Sequence, residues 1–167
     1  ATPIRKDGHQ PIIFMQCGEI RFTADSKAQL EQQTFQRLLV PRFTSFRNLS
    51  DDNGYTAIAQ ALSDDETRNR LIIDDVKKVL DEGRSPIILT GLTSHVDYLA
   101  EECRKICPNV IRLVGNDSAK AKRMEMERLR SIPDTEPLVV VATGKYVGEG
   151  FDLPRLDTLM LALPVSW

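Results

Sequence analysis

Four residues in one short stretch have the types and spacing to do chemistry. They are Gly148, Glu149, Gly150 and Asp152, inside VVVATGKYVGEGFDLPRLDTLMLAL, residues 139–163. An apolar burst stands on either side of them. Glycines at 148 and 150 let the backbone bend and approach a ligand closely. Asp152 would then stand at the carboxyl end of a strand, the side on which open α/β sheets bind ligands. A carboxylate there could accept hydrogen bonds from a ribose, although the same pattern also describes a tight turn with solubilising acids. A second group is Thr93, Ser94 and His95 at a strand-to-helix turn. Free amides at a helix start, joined by two hydroxyls, form a phosphate site; the bland alternative is a capping cluster with an incidental histidine. Cys103 and Cys107 stand four apart, as two metal ligands could. No other Cys or His pair completes a tetrahedral set, and both fall on an apolar helical stripe, so the core claims them.

What is absent narrows the chemistry further. The chain has no GxxxxGK[ST] phosphate loop and no GxGxxG opening a helix after a strand. With two histidines and no nucleophile-elbow motif, no Ser-His-Asp or Cys-His set suggests itself. A length of 167 residues suits one domain, or one domain with part of another. Hydrophobic residues at 41% and charged residues at 28% are a globular composition able to bury a core. The net charge of −2 excludes a chain-wide basic footprint but leaves local nucleic-acid contacts through amides and hydroxyls. Three irregularly spaced cysteines are no disulfide framework, which points to a reducing, cytoplasmic setting. No apolar run is long enough to cross a bilayer, and no signal-peptide pattern opens the chain. The sequence begins on ATP and closes on LPVSW straight after a strand-like run, so an excised fragment is expected.

The elements that must position these groups are legible from Arg84 onward. SPIILTG, NVIRLVG, PLVVVATG and LDTLMLALP read as buried strands. Between the first two, TSHVDYLAEECRKIC places Val96, Leu99, Ala100, Cys103, Ile106 and Cys107 on one helical face, with Ser94 and Asp97 as a capping box. NDSAKAKRMEMERLRSI is a second helix, with Ala121, Met124, Leu129 and Ile132 inward and Asn116 or Asp117 as its cap. Upstream, ETRNRLIIDDVKKVLDEG is a helix with Ile72, Val76, Val79 and Leu80 as its stripe and Gly83 as its stop. A shorter helix precedes it from Tyr55 to Leu62. Apolar strands alternating with amphipathic helices mean a parallel sheet covered on both faces. The first 48 residues have a mixed texture. PIIFMQCGEIRFT reads as two short strands about a Cys17–Gly18 turn, and SKAQLEQQTFQRLLVPRFTSF is helical at its start and strand-like from Phe35 to Phe46. A boundary is expected near Asn48 to Asn53.

ATGKYVGEGFDLPRLDTLMLALP resembles motif V of superfamily 2 helicases and translocases, closest to the branch of restriction-enzyme translocases and excision-repair helicases. That motif is a strand ending in Ala-Thr, a loop, Gly-hydrophobic-Asp-hydrophobic-Pro and another strand. The opening ATPIRKDG looks like motif III, which closes the first RecA-like domain. SPIILTGLTSHVDYLAEEC looks like motif IV, the first strand and helix of the second RecA-like domain, and VIRLVGNDSAKAKRMEMERL matches the next strand and helix. Motif V is the specific part. The resemblance implies a three-layer α/β RecA-like fold, cut short before motif VI: residues 1–48 are the tail of the first domain and a mixed linker, and 49–167 are most of the second domain.

It also implies a motor that translocates along nucleic acid, most readily duplex DNA, driven by ATP and Mg²⁺ held mainly by the remainder of the parent. By matching position, Gly150 and Asp152 would sense the nucleotide, Thr143 and Gly144 would hold a nucleic-acid phosphate, and Thr93, Ser94 and His95 would offer a second phosphate site. Thr2 would couple the two domains. The fragment alone would need no cofactor and show no ATPase activity, and its incomplete sheet edge would invite self-association. A docking module from a decayed motor, or a small autonomous nucleotide-binding protein, are the competing readings.

Overall fold

The computed structural model describes residues 10–22, 37–48, 54–144, 146–147 and 151–164. Thr2, the Gly148-Glu149-Gly150 run and the whole stretch from Ser26 to Phe35 lie outside these residues. By contacts the chain divides into two compact units, Ala1–Arg42 and Phe43–Trp167. The division falls a few residues ahead of the composition boundary read near Asn48.

Among the described residues, the second unit is built on a four-stranded, wholly parallel sheet in the order β2-β3-β1-β4. Its strands are β1 (Pro86–Thr90), β2 (Val110–Leu113), β3 (Val139–Thr143) and β4 (Thr158–Leu161). Period-two alternation sends consecutive residues of each strand to opposite faces. Ile88, Val110, Val139 and Val141 face one core, closed by Val76 of α3 (Glu66–Asp81) and by Val96, Leu99, Ala100 and Cys103 of α4 (Thr93–Arg104). Ile87, Leu89, Ile111, Leu113, Val140 and Ala142 face the other, closed by Leu129 of α5 (Ala119–Ser131). Helices on both faces of a parallel sheet make the expected three-layer, RecA-like arrangement. β1 and β3, paired to each other at the centre, are buried along their whole length.

Helix limits follow local chemistry. Asp65 ends α2 (Tyr55–Asp64) and caps α3, its carboxylate accepting the Arg68 amide at 2.8 Å. Gly83 stops α3 in the left-handed region at φ 74°, and its own amide reaches the Leu80 carbonyl at 2.9 Å.

Several local expectations are corrected. PIIFMQC is not a strand but most of helix α1 (Gln10–Cys17), ended by Gly18 at φ 79° with its amide on the Phe14 carbonyl at 2.8 Å. An apolar run this short does not by itself separate strand from helix, and the glycine suits a helix stop as well as a hairpin turn. The Ser94–Asp97 capping box does not form. α4 starts two residues earlier than a Ser94 cap requires, after an extended Leu92 that makes no side-chain cap bond, and Asp97 pairs with Arg112 instead. α5 is capped by Ser118, whose hydroxyl accepts the Ala121 amide at 3.2 Å, while Asp117 joins Arg112 at 2.6 Å. Met124 is turned outward, 60% exposed, because it stands five residues before Leu129 and off its face, whereas Met126, three residues before Leu129, packs against the core beside it. Cys103 and Cys107 lie in the first core, where burial pushes the Cys103 thiol up to about 12. Among the described residues no group of His, Cys, Asp or Glu could hold a metal ion. Nor is any helix among them long and apolar enough to cross a membrane.

Candidate functional site

The carboxyl ends of the two central strands bring most of the candidate residues to one edge. Thr90 closes β1 opposite Thr143 at the end of β3. Both threonines are buried, which suits a position between two covered faces. Thr143 then starts a tight turn, its carbonyl accepting the amides of Tyr146 at 2.9 Å and Val147 at 3.3 Å. Its hydroxyl oxygen accepts the Gly115 amide at 3.4 Å, and the hydroxyl proton is left to donate elsewhere. The Gly144 amide is engaged, donating to the Thr90 carbonyl at 3.2 Å. It serves the strand register here rather than facing a ligand.

Thr93, Ser94 and His95 open α4 directly beyond β1. Thr93 is half-buried and Ser94 exposed, so their hydroxyls are within reach of solvent. His95 is different: its ring is buried, and both nitrogens are bonded. The Ser63 carbonyl can only accept, so Asn69 Nδ2 donates to it at 2.7 Å and Asn69 presents its oxygen to His95 Nε2 at 2.9 Å. Nε2 therefore carries the proton, and Nδ1 accepts from the Thr90 hydroxyl at 2.9 Å. Burial is the main reason its pKa is lowered from 6.5 to about 4; the nearby Arg68 guanidinium acts in the same direction and Asp64 opposes. The ring is buried and bonded at both nitrogens, and it supports the turn from beneath while lining the neighbouring pocket. The neighbouring pocket, about 260 Å³, is lined by Asp64 and Glu66 beside Ser94 and Tyr98. Carboxylates there oppose phosphate binding on that side of the turn.

Asp152 is exposed, on the loop that leads from β3 to β4. Its neighbours Phe151 and Leu153, with Leu156, pack against the second core. The alternation seats the loop on the sheet and directs Asp152 outward. Arg155 fastens the loop's far end. Its guanidinium donates to the carbonyls of Ile132 and Pro133, both at 3.2 Å, and of Glu136 at 2.7 Å, in the connection between α5 and β3.

Sequence reasoning missed Asn69, Thr90 and Arg155. A lone asparagine inside an amphipathic helix is a usable signal, because asparagine is a poor interior helix former unless its amide has partners. Thr90 and Arg155 carried no comparable mark, one reading as a strand end and the other as a surface charge.

No protein-family model matches the chain. Among curated proteins, it is 28% identical over 104 residues to transcript termination protein A18 of Fowlpox virus, an alignment covering 61% of this chain and 22% of that protein. It is 30% identical over 118 residues to "Putative helicase 161L" of Invertebrate iridescent virus 6, covering 66% and 26%. Among solved structures, T4 UvsW aligns with a TM-score of 0.55 at 16% identity, over 69% of this chain and 23% of that one. Over part of its length the chain is thus similar to a viral transcript termination protein and to a putative viral helicase. It spans about a quarter of the length of the curated relatives it matches. The likeness to UvsW shows the shared fold, and it agrees with the parallel, doubly covered sheet described above.

Proposed function

We propose that this chain is the greater part of the second RecA-like domain of an ATP-driven motor that moves along nucleic acid, duplex DNA in the first instance, in the cytoplasm. The observation that carries the reading is the β3–β4 loop, where Phe151 and Leu153 are anchored and Asp152 between them is exposed. A carboxylate presented in this way can accept hydrogen bonds from the ribose of a nucleotide held in the cleft between two motor domains. Gly150 would let the loop approach that nucleotide closely. Thr143 would donate its free hydroxyl proton to a nucleic-acid phosphate, and Thr93 and Ser94 would offer hydroxyls and helix-start amides to another, on the side of the turn away from Asp64 and Glu66. Gly144 would keep the register from which Thr143 acts, and Thr2 would link this domain to the first. ATP and Mg²⁺ would be gripped chiefly by the other domain, so hydrolysis would alternate the hold of the two domains on the backbone. Contacts to phosphates give little sequence preference.

Asp152→Ala tests the reading. The residue has no core role, so the melting temperature of the full-length motor should stay nearly unchanged. Nucleic-acid-stimulated ATP turnover should fall about tenfold, the size of one lost hydrogen bond to a charged group. Stimulated turnover measured alongside the melting curve on the same sample checks both. Unchanged turnover at unchanged stability would make Asp152 a plain turn acid.

The same fold presents an edge. β4 lies at the end of the sheet, and Leu159 and Leu161 are 56% and 57% exposed. An edge strand with apolar side chains invites pairing with another copy. The isolated chain should therefore self-associate with rising concentration, and Leu161→Lys should suppress it. Sedimentation showing a monomer throughout, for the unmodified chain, would exclude the contact.

A further inference from the structure

Arg155 has an unusual position for a residue in an exposed loop. Its side chain is only 11% exposed, and its two terminal nitrogens serve the carbonyls of Ile132, Pro133, Asp134 and Glu136. These carbonyls belong to the connection that leaves α5 and enters β3. A planar guanidinium with several fixed donors can satisfy such a set of acceptors, whereas a lysine ammonium cannot match the fork. Ordinary surface arginines do not gather backbone carbonyls in this way; Arg123 on α5, for instance, pairs only with Glu127 one turn on and is 82% exposed.

The consequence concerns the segment between two anchors. On one side of Asp152, Phe151 packs against the second core; on the other, Leu153 and Leu156 do the same, and Arg155 is tied to the α5–β3 connection. A short loop fixed at both flanks loses little conformational freedom when its central carboxylate meets a ligand, and this preorganisation favours binding of the ligand.

We propose that Arg155 is the positioning residue of the Asp152 loop: by clamping the loop to the carbonyls after α5, it holds the Asp152 carboxylate where a nucleotide can be met. Arg155 acts through Asp152 and needs no contact with nucleotide itself. This rests on the reading of Asp152 given under the proposed function, and the test separates the two.

The test is a double-mutant cycle on nucleic-acid-stimulated ATP turnover in the full-length motor, with Asp152→Ala, Arg155→Met and the pair together. Melting curves confirm that each protein is folded at the assay temperature, and Arg155→Lys serves as a milder variant should Arg155→Met not fold. Asp152→Ala and Arg155→Met should each lower turnover about tenfold, and the double variant should be no slower than Asp152→Ala alone, because both remove one function. Arg155→Lys should fall between the unmodified protein and Arg155→Met. Losses that multiply in the double variant would overturn the inference, since they would mean Arg155 affects turnover independently of Asp152. An effect of Asp152→Ala with none from either Arg155 variant would also overturn it, while leaving the Asp152 reading intact. No effect of Asp152→Ala would instead overturn the reading on which the inference depends.

Discussion

Between pH 6.5 and 4 the protein should lose about 3 kcal/mol of stability through His95 alone. The sign follows from where the proton binds first. In the unfolded chain the imidazole takes a proton near pH 6.5, while in the folded protein burial and Arg68 hold that event back to about 4. Over that interval the unfolded state binds more protons, so stability rises with pH. The contribution is fully present above 6.5 and is lost as the pH falls toward 4. Urea unfolding at half-unit steps through this range measures the slope, and carboxylates add their own dependence at the acid end. His95→Gln isolates the imidazole. The variant should be less stable than the unmodified protein at pH 7, because the bonds to Asn69 and Thr90 are disturbed, yet the gap should narrow as the pH falls. Parallel stability curves for the two proteins would show that His95 is not held neutral by the fold.

Ile88→Ala should cost about 2–5 kcal/mol, the usual range for emptying a well-packed aliphatic site. Ile88 is fully buried at the centre of the sheet, between Val141 on β3 and Met160 on β4 in register, and it packs with Val96 and Leu99 of α4. The cavity would open beneath a helix held at its start by the His95 bonds, which limits how far that helix can settle into the space. Leu159→Ala on β4 provides the contrast. Leu159 is also an apolar strand residue, but it is 56% exposed, so its removal should change stability by no more than about 0.5 kcal/mol. Denaturant midpoints for the two variants, with unchanged slopes, measure the difference directly. Comparable losses at both sites would contradict the assignment of β4 to the sheet edge.

That contrast marks how far the chain could be read without its structure. PIILT and TLML look alike as strings, and each was expected to be a buried strand. Their secondary structure is local: branched and long apolar residues bounded by proline, glycine or aspartate favour an extended chain in both. Their burial is not local. It depends on strand order, which puts β1 between two neighbours and β4 at the end.

The helices divide in the same way. The stripes of α3 and α4 were legible because period 3.6 shows through the sequence, and Gly83 marked a stop that only a residue tolerant of positive φ fills easily. The caps of α4 and α5 were not legible, because several polar residues stood near each start and tertiary contacts chose among them. Arg112 on β2 drew Asp97 and Asp117 away from capping, and Ser118 took over at α5. Helical spacing from Leu129, rather than the cap, puts Met126 and not Met124 against the core.

For the candidate site, residue order determined that Thr143 closes a strand and that Asp152 follows in a loop between apolar neighbours. Sequence alone could not tell that His95 turns inward. Its outcome depends on Asn69, 26 positions away, and on a Ser63 carbonyl that orients the Asn69 amide. Nor could it tell that Arg155 would find its carbonyl partners about 20 positions upstream. Periodicity and turn chemistry act over a few residues and are written in the chain. Partners for buried polar groups are chosen only when the layers close and water is excluded, because only then does an unpaired donor or acceptor become costly.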